Sequence, residues 1–157
     1  MIKPHEITYD SISSIMHNAA IDHHFDPDGQ IYVTGLPFNF WIDVNCERGW
    51  LTLFTHCRFV EDIAEIEALR CVNACNERLI LLQFFVSDDL GCLQANQIVS
   101  FREGLDRIEL LRKLRAFADI YETALADSRH SQLFDIGSQR IDDDLKDAPR
   151  PPVRLLN

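Results

Sequence analysis

Apolar residues recur along this chain in two rhythms, and the switches between them mark out its elements. From Thr8 to His23, Ile12, Ile15, Met16 and Ala19 fall at helical spacing and make one apolar face. Asp26-Pro27-Asp28-Gly29 is a turn signal, because proline presets φ and glycine tolerates positive φ. A short strand from Gln30 to Val33 follows, ended by Gly35-Leu36-Pro37. From Phe38 to Phe59 the rhythm is two. Phe38, Phe40, Ile42 and Val44 alternate with Asn39, Trp41, Asp43 and Asn45, and Leu51, Leu53, Thr55, Cys57 and Phe59 alternate with Trp50, Thr52, Phe54 and His56. A hairpin turning at Glu47 and Arg48 sets Val44 opposite Leu51 and Ile42 opposite Leu53. A slip of one residue would turn the apolar set to the wrong face, so the pattern fixes the register.

The helical period returns from Glu61 to Glu77, with Ile63, Ile66, Leu69, Val72 and Asn73 near one stripe and Glu61 and Asp62 in a first turn that favours negative charge. A second hairpin, Leu81 to Val86 and Cys92 to Val99, is joined by Ser87-Asp88-Asp89-Leu90-Gly91. The last helix spans Leu105 to Ala126. Its wide stripe of Leu105, Ile108, Leu111, Leu114, Phe117, Ala118, Tyr121 and Leu125 predicts contacts on more than one side. The order is α-β-β-β-α-β-β-α, an α+β domain over residues 1–127 with about five strands. Residues 128–157, with Asp142-Asp143-Asp144 and Arg150-Pro151-Pro152, read as a polar, mobile tail, with a short helix near Gln132 to Gly137 as the one alternative.

Composition adds what such a domain would avoid. A length of 157 residues suits one domain. The net charge of −10 repels phosphate backbones and anionic lipid, so neither nucleic acid nor a membrane surface is an expected partner. The apolar run Leu79–Val86 is too short to span a bilayer, and the first residues lack the apolar core of a secretory signal. A cytoplasmic address is expected, in keeping with five cysteines in no disulfide framework.

No established catalytic signature is present: no Gly-X-Ser-X-Gly elbow, phosphate loop, dinucleotide fingerprint or His-Glu-X-X-His. A non-enzymatic protein needing no cofactor is the expectation. Cys71 and Cys75, four apart, share a helix face as a metal pair would, but the sequence offers no matching second pair, so they read as packing. His23-His24 beside Asp22, Asp26 and Asp28 reads as a solvated helix end, Asp88-Asp89 as a hairpin tip, and Arg150-Pro151-Pro152-Val153-Arg154 as part of the tail and not a polyproline ligand.

The second face of the central hairpin resists so plain a reading. Trp41 falls opposite Phe54, and Trp50 lies near the turn on the same side, where a sheet covered on one side only would carry polar residues. Trp41, Trp50 and Phe54 are therefore the candidate partner-binding residues, for a second copy of the chain or a protein client. The competing cover is the chain's own first helix or tail.

Gly35-Leu36-Pro37-Phe38, Trp41-Ile42-Asp43, Arg48-Gly49-Trp50-Leu51, Val72-Asn73-Ala74-Cys75-Asn76 and Leu82-Gln83-Phe84 resemble the YbjN-type family, described as bacterial sensory transduction regulators. The resemblance covers Thr8 to Ala126, and the Asn73-X-X-Asn76 pair is its most distinctive part. It implies a twisted antiparallel sheet flanked by helices, similar to type III secretion chaperones, commonly dimeric, binding protein without a cofactor. It supplies no catalytic residues. The amides of Asn73 and Asn76 are suited to satisfying backbone groups of the neighbouring strand or capping the helix. A small-molecule sensor, holding an apolar ligand between sheet and helices, is the alternative function.

Overall fold

The computed structural model describes residues 1–87 and 91–136. The elements run α1 (Tyr9–Asn18), β1 (His23–Phe25), β2 (Ile31–Val33), β3 (Phe40–Asn45), β4 (Trp50–Arg58), α2 (Glu65–Arg78), β5 (Gln83–Ser87), β6 (Cys92–Ser100) and α3 (Arg107–Ala126). The six strands form one antiparallel sheet in the order β1-β2-β3-β4-β6-β5. The central register is the expected one: Ile42 faces Leu53, Val44 faces Leu51 and Trp41 faces Phe54.

One strand more is present than the sequence predicts, because α1 stops at Asn18 and not near His23. The start of α1 is a capping box: Thr8 Oγ1 accepts from the Ser11 backbone N–H, and Ser11 Oγ accepts from that of Thr8. Its end is a Schellman motif. The Ile21 N–H bonds the Met16 carbonyl, the Ala20 N–H bonds that of His17, and Ala20 sits at φ +53°. Glycine usually occupies that left-handed position, so an alanine there hides the stop. The freed residues His23–Phe25 pair with β2 across the Asp26–Gln30 turn, where Asp26 Oδ1 accepts from the N–H groups of Asp28 and Gln30.

The inner face of the sheet packs against the helices. Phe40, Ile42, Leu51, Leu53, Leu93 and Ala95 meet Ile12 and Met16 of α1 and Leu114, Phe117 and Tyr121 of α3 in one core. Ring pairs fill the space between sheet and α3: Phe40 with Phe117 at 5.0 Å, and Phe38 with Tyr121 at 4.6 Å. The Tyr121 hydroxyl, wholly buried, donates to the Leu93 carbonyl at 2.8 Å, and burial holds its pKa well above the ordinary value.

Helix α2 differs from its expected phase. It starts at Glu65, after a turn in which Asp62 takes φ +62°, so Glu65 and Glu67 occupy the first turn. Ala68, Cys71, Val72 and Cys75 point inward, while Ile66 and Leu69 are 55% and 44% exposed. Small residues let the helix approach the core closely, and a stripe counted from Ile and Leu misses that. In α3, likewise, Leu110 is buried where Ile108 was expected, and Leu105 lies before the helix, bridged to Ile2. Strand β5 begins at Gln83, leaving Leu81 exposed.

Asn76 has the backbone-satisfying role expected of it. Its amide donates to the Phe84 carbonyl at 3.0 Å and accepts from the Phe84 N–H at 2.9 Å, closing α2 onto β5. Truncating Asn76 to alanine is expected to cost about 1–2 kcal/mol in urea unfolding, with Asn73→Ala, exposed on the outer side of α2, costing under about 0.5 kcal/mol.

The packed chain continues past residue 127. A turn of 3-10 helix at Ser131–Leu133 is followed by Phe134, which bridges Phe59 and stacks on its ring at 5.4 Å. Asp88-Asp89, the remainder of the expected tail and its Arg150-Pro151-Pro152 segment lie outside the described residues.

Candidate functional site

Strand pairing assigns the outer face of the sheet residue by residue. His24, Tyr32, Trp41, Phe54, Asn96 and Gln83 lie in one row across it, with His56, Gln94 and Phe85 beside them and Thr52 and Ile98 on the other side. The rings form a continuous ladder. His24 meets Tyr32 edge-on at 5.3 Å, Tyr32 lies 4.6 Å from Trp41, and Trp41 stacks between Phe54 at 5.7 Å and His56 at 5.4 Å. Nearer the β3–β4 turn, the Arg48 guanidinium covers the Trp50 ring at 5.3 Å.

Trp41, Trp50 and Phe54 therefore share one face, as the alternation requires. Trp41 and Trp50 are half-buried. Phe54 is buried yet stands apart from the core that unites the helices with the inner face. Sequence reading missed the extent of the patch. Tyr32 between Ile31 and Val33, and Ile98 between Gln97 and Val99, obey the same alternation, but a strand as short as β2 shows it faintly. At the paired outward positions only Asp43 and Arg58 are charged, in a chain where a quarter of residues are. Charge depletion of this kind marks the cores of protein interfaces.

Three buried polar groups accompany the aromatic ladder. Trp50 Nε1, Thr52 Oγ1 and Gln94 Nε2 have no hydrogen-bond partner among the described residues. Such groups are costly to bury unless a partner arrives to meet them.

The adjacent histidines occupy a strand, not a helix end, and so point to opposite faces. His24 joins the outer ladder. His23 faces inward, its Nδ1 on the Ile21 carbonyl at 2.8 Å and its Nε2 on Ser13 Oγ at 2.7 Å, which pins β1 to α1. Their opposed directions keep them from sharing an ion.

The cysteine pair acquires a neighbour that sequence spacing did not reveal. Cys71 and Cys75 are buried on the inner side of α2, and His130 arrives from the turn after α3. One ligand atom from each lies within 4.8 Å of the others. A hydrogen bond between the two thiols holds Cys75 below its ordinary pKa and Cys71 above it. Elsewhere in the core, burial pushes the Cys57 thiol up to about 12, as for an inert packing group.

An open groove of about 500 Å³ lies at one end of the sheet, lined by Pro4, Ile7, Cys46, Arg48, Phe101 and Arg102 among others. The space between sheet and helices is occupied by the Phe40, Phe117, Phe38 and Tyr121 rings.

These features define the class by its architecture: an α+β protein whose open antiparallel sheet carries helices on its inner face. Among solved structures the fold matches that of YbjN from E. coli, described as a candidate transcription regulator, with a TM-score of 0.69 at 13% identity over 82% of this chain and 96% of that one. It also matches a chain of the HopA1–SchA chaperone–effector complex, with a TM-score of 0.53 at 16% identity over 75% and 94%. The YbjN-type, secretion-chaperone-like fold expected from the sequence is the one found. No family model and no curated protein sequence matches the chain. Among the described residues, no helix is long and apolar enough to cross a membrane.

Proposed function

We propose that this chain is a non-enzymatic, cytoplasmic protein-binding module that forms a homodimer through the outer face of its sheet and presents the dimer to a protein client. The observation that carries the reading is the aromatic ladder of Tyr32, Trp41 and Phe54, depleted of charge and flanked by unpaired polar groups on Thr52, Trp50 and Gln94. A sheet face meant for water carries polar residues throughout, whereas the middle of this one carries a run of three aromatic rings among its polar neighbours. Aromatic side chains bury about 150–250 Å² each, so the half-buried rings of Tyr32, Trp41, Trp50 and Phe85 supply only part of the roughly 800 Å² per partner of a standard interface, and the polar groups around them supply the rest. Antiparallel copies would also bring hydrogen-bonding groups to the stranded atoms of Thr52 and Gln94. A chaperone–effector complex among the structural neighbours supports a protein client, and the net charge of −10 favours a basic one.

Sedimentation of the purified chain across a micromolar concentration series tests the reading. Dimers that dissociate on dilution are the expected result. A monomer throughout the series would overturn the homodimer.

A further inference from the structure

We propose that Cys71, Cys75 and His130 form a zinc-binding site joining α2 to the segment that follows α3. The two thiols stand one helical turn apart on the buried stripe of α2, and the imidazole closes the third corner. Cys75 Sγ and His130 Nε2 are 3.8 Å apart, and the ligand atoms all lie within 4.8 Å of one another. Zinc bonds of about 2.3 Å to sulfur and about 2.0–2.1 Å to nitrogen hold tetrahedral ligands about 3.5–3.8 Å apart. A contraction of about 1 Å or less therefore completes the site.

Backbone hydrogen bonds set these ligands in place. His130 sits in a turn closed by its own N–H and that of Ser131 on the Asp127 carbonyl. Beyond it the chain is tied to the end of β4, where the Val60 N–H bonds the Leu133 carbonyl and the Asp135 N–H bonds that of Arg58. The ligands thus come from two segments whose approach is fixed by backbone hydrogen bonds.

Charge selects the ion. Two thiolates and a neutral imidazole balance Zn²⁺, which makes a neutral buried cluster, whereas a monovalent ion would leave a buried negative charge. The protons balance as well. Binding releases one proton from each thiol, and the imidazole stays neutral by moving its proton from Nε2 to Nδ1. Nε2 donates to the Ala124 carbonyl at 2.9 Å, and this bond is given up on ligation. Three protein ligands leave the fourth position to a water molecule.

The site lies on the helical side of the sheet and is independent of association through the outer face. The test is titration of the reduced full-length chain with Zn²⁺ against a chromophoric chelator, with Co²⁺ as a spectroscopic stand-in. One equivalent of zinc per chain is expected, with thiolate-to-cobalt charge-transfer absorption and tetrahedral ligand-field bands. Cys75→Ser and His130→Gln should each weaken zinc binding by about 100-fold or more, and Cys46→Ser, at an exposed thiol, should leave it unchanged. Circular dichroism identifies variants that keep the fold, and His130→Gln carries the test if Cys75→Ser does not fold. Absence of stoichiometric zinc, or binding that survives in a folded Cys75→Ser or His130→Gln variant, would overturn the assignment.

Discussion

Replacing Phe117 with alanine is expected to destabilise the domain by about 3–5 kcal/mol, more than truncation of any ring on the outer face. Phe117 is fully buried on α3 and packs on Phe40 of β3 at 5.0 Å, so it joins the helix layer to the middle of the sheet. Deleting the ring loses its transfer free energy and leaves a cavity that neighbours locked in their own ring pairs refill poorly. Tyr121 is one such neighbour, tethered to Leu93. With a urea slope of about 2 kcal/mol per molar, the midpoint should fall by roughly 2 M at constant protein concentration. Phe117→Leu should recover more than half of the loss. An alanine variant within about 1 kcal/mol of wild type would contradict the packing described for the inner face.

Truncating Trp41 to alanine should act on association and leave the fold largely intact. The ring is half-buried, stands at the centre of the outer ladder, and contacts Tyr32, Phe54 and His56 without entering the core. Central aromatic anchors of this kind cost about 2 kcal/mol or more on truncation, which is about 30-fold in the dimer dissociation constant. Phe54→Ala should weaken association similarly and also lower stability, because Phe54 is buried within one chain. Leu69→Ser, on the exposed side of α2, is the control and should change neither. A loss of association with Leu69→Ser and none with Trp41→Ala would move the interface from the sheet to α2.

The parts of this fold that could be read from sequence are those where one residue type reports one environment. The β3–β4 hairpin was legible because Phe40, Ile42 and Val44 on one arm and Leu51 and Leu53 on the other alternate with polar or outward aromatic residues across the stretch where the two strands pair. That alternation places Trp41 on Phe54 with no tertiary information. Strand β1 was hidden for two local reasons: His-His-Phe carries little strand signal, and the helix before it stops at an alanine in a left-handed conformation. The phase of α2 was misread because Ala68, Cys71 and Cys75 do the packing while Ile66 and Leu69 face outward. His130 was beyond reach for a different reason. It lies 55 residues from Cys75 in sequence, and only the return of the chain after α3 brings the two together. Pairings of that separation leave no periodic trace.

The most direct test of the central claim is oxidative footprinting of the full-length chain at concentrations below and above the dimer dissociation constant, with labelling read at each aromatic residue. Association through the outer face predicts that Tyr32, Trp41 and Trp50 lose reactivity as concentration rises, while Phe25, exposed on the opposite side of β1, stays constant. Unchanged labelling of Trp41 and Trp50 in a chain that demonstrably dimerises would contradict it.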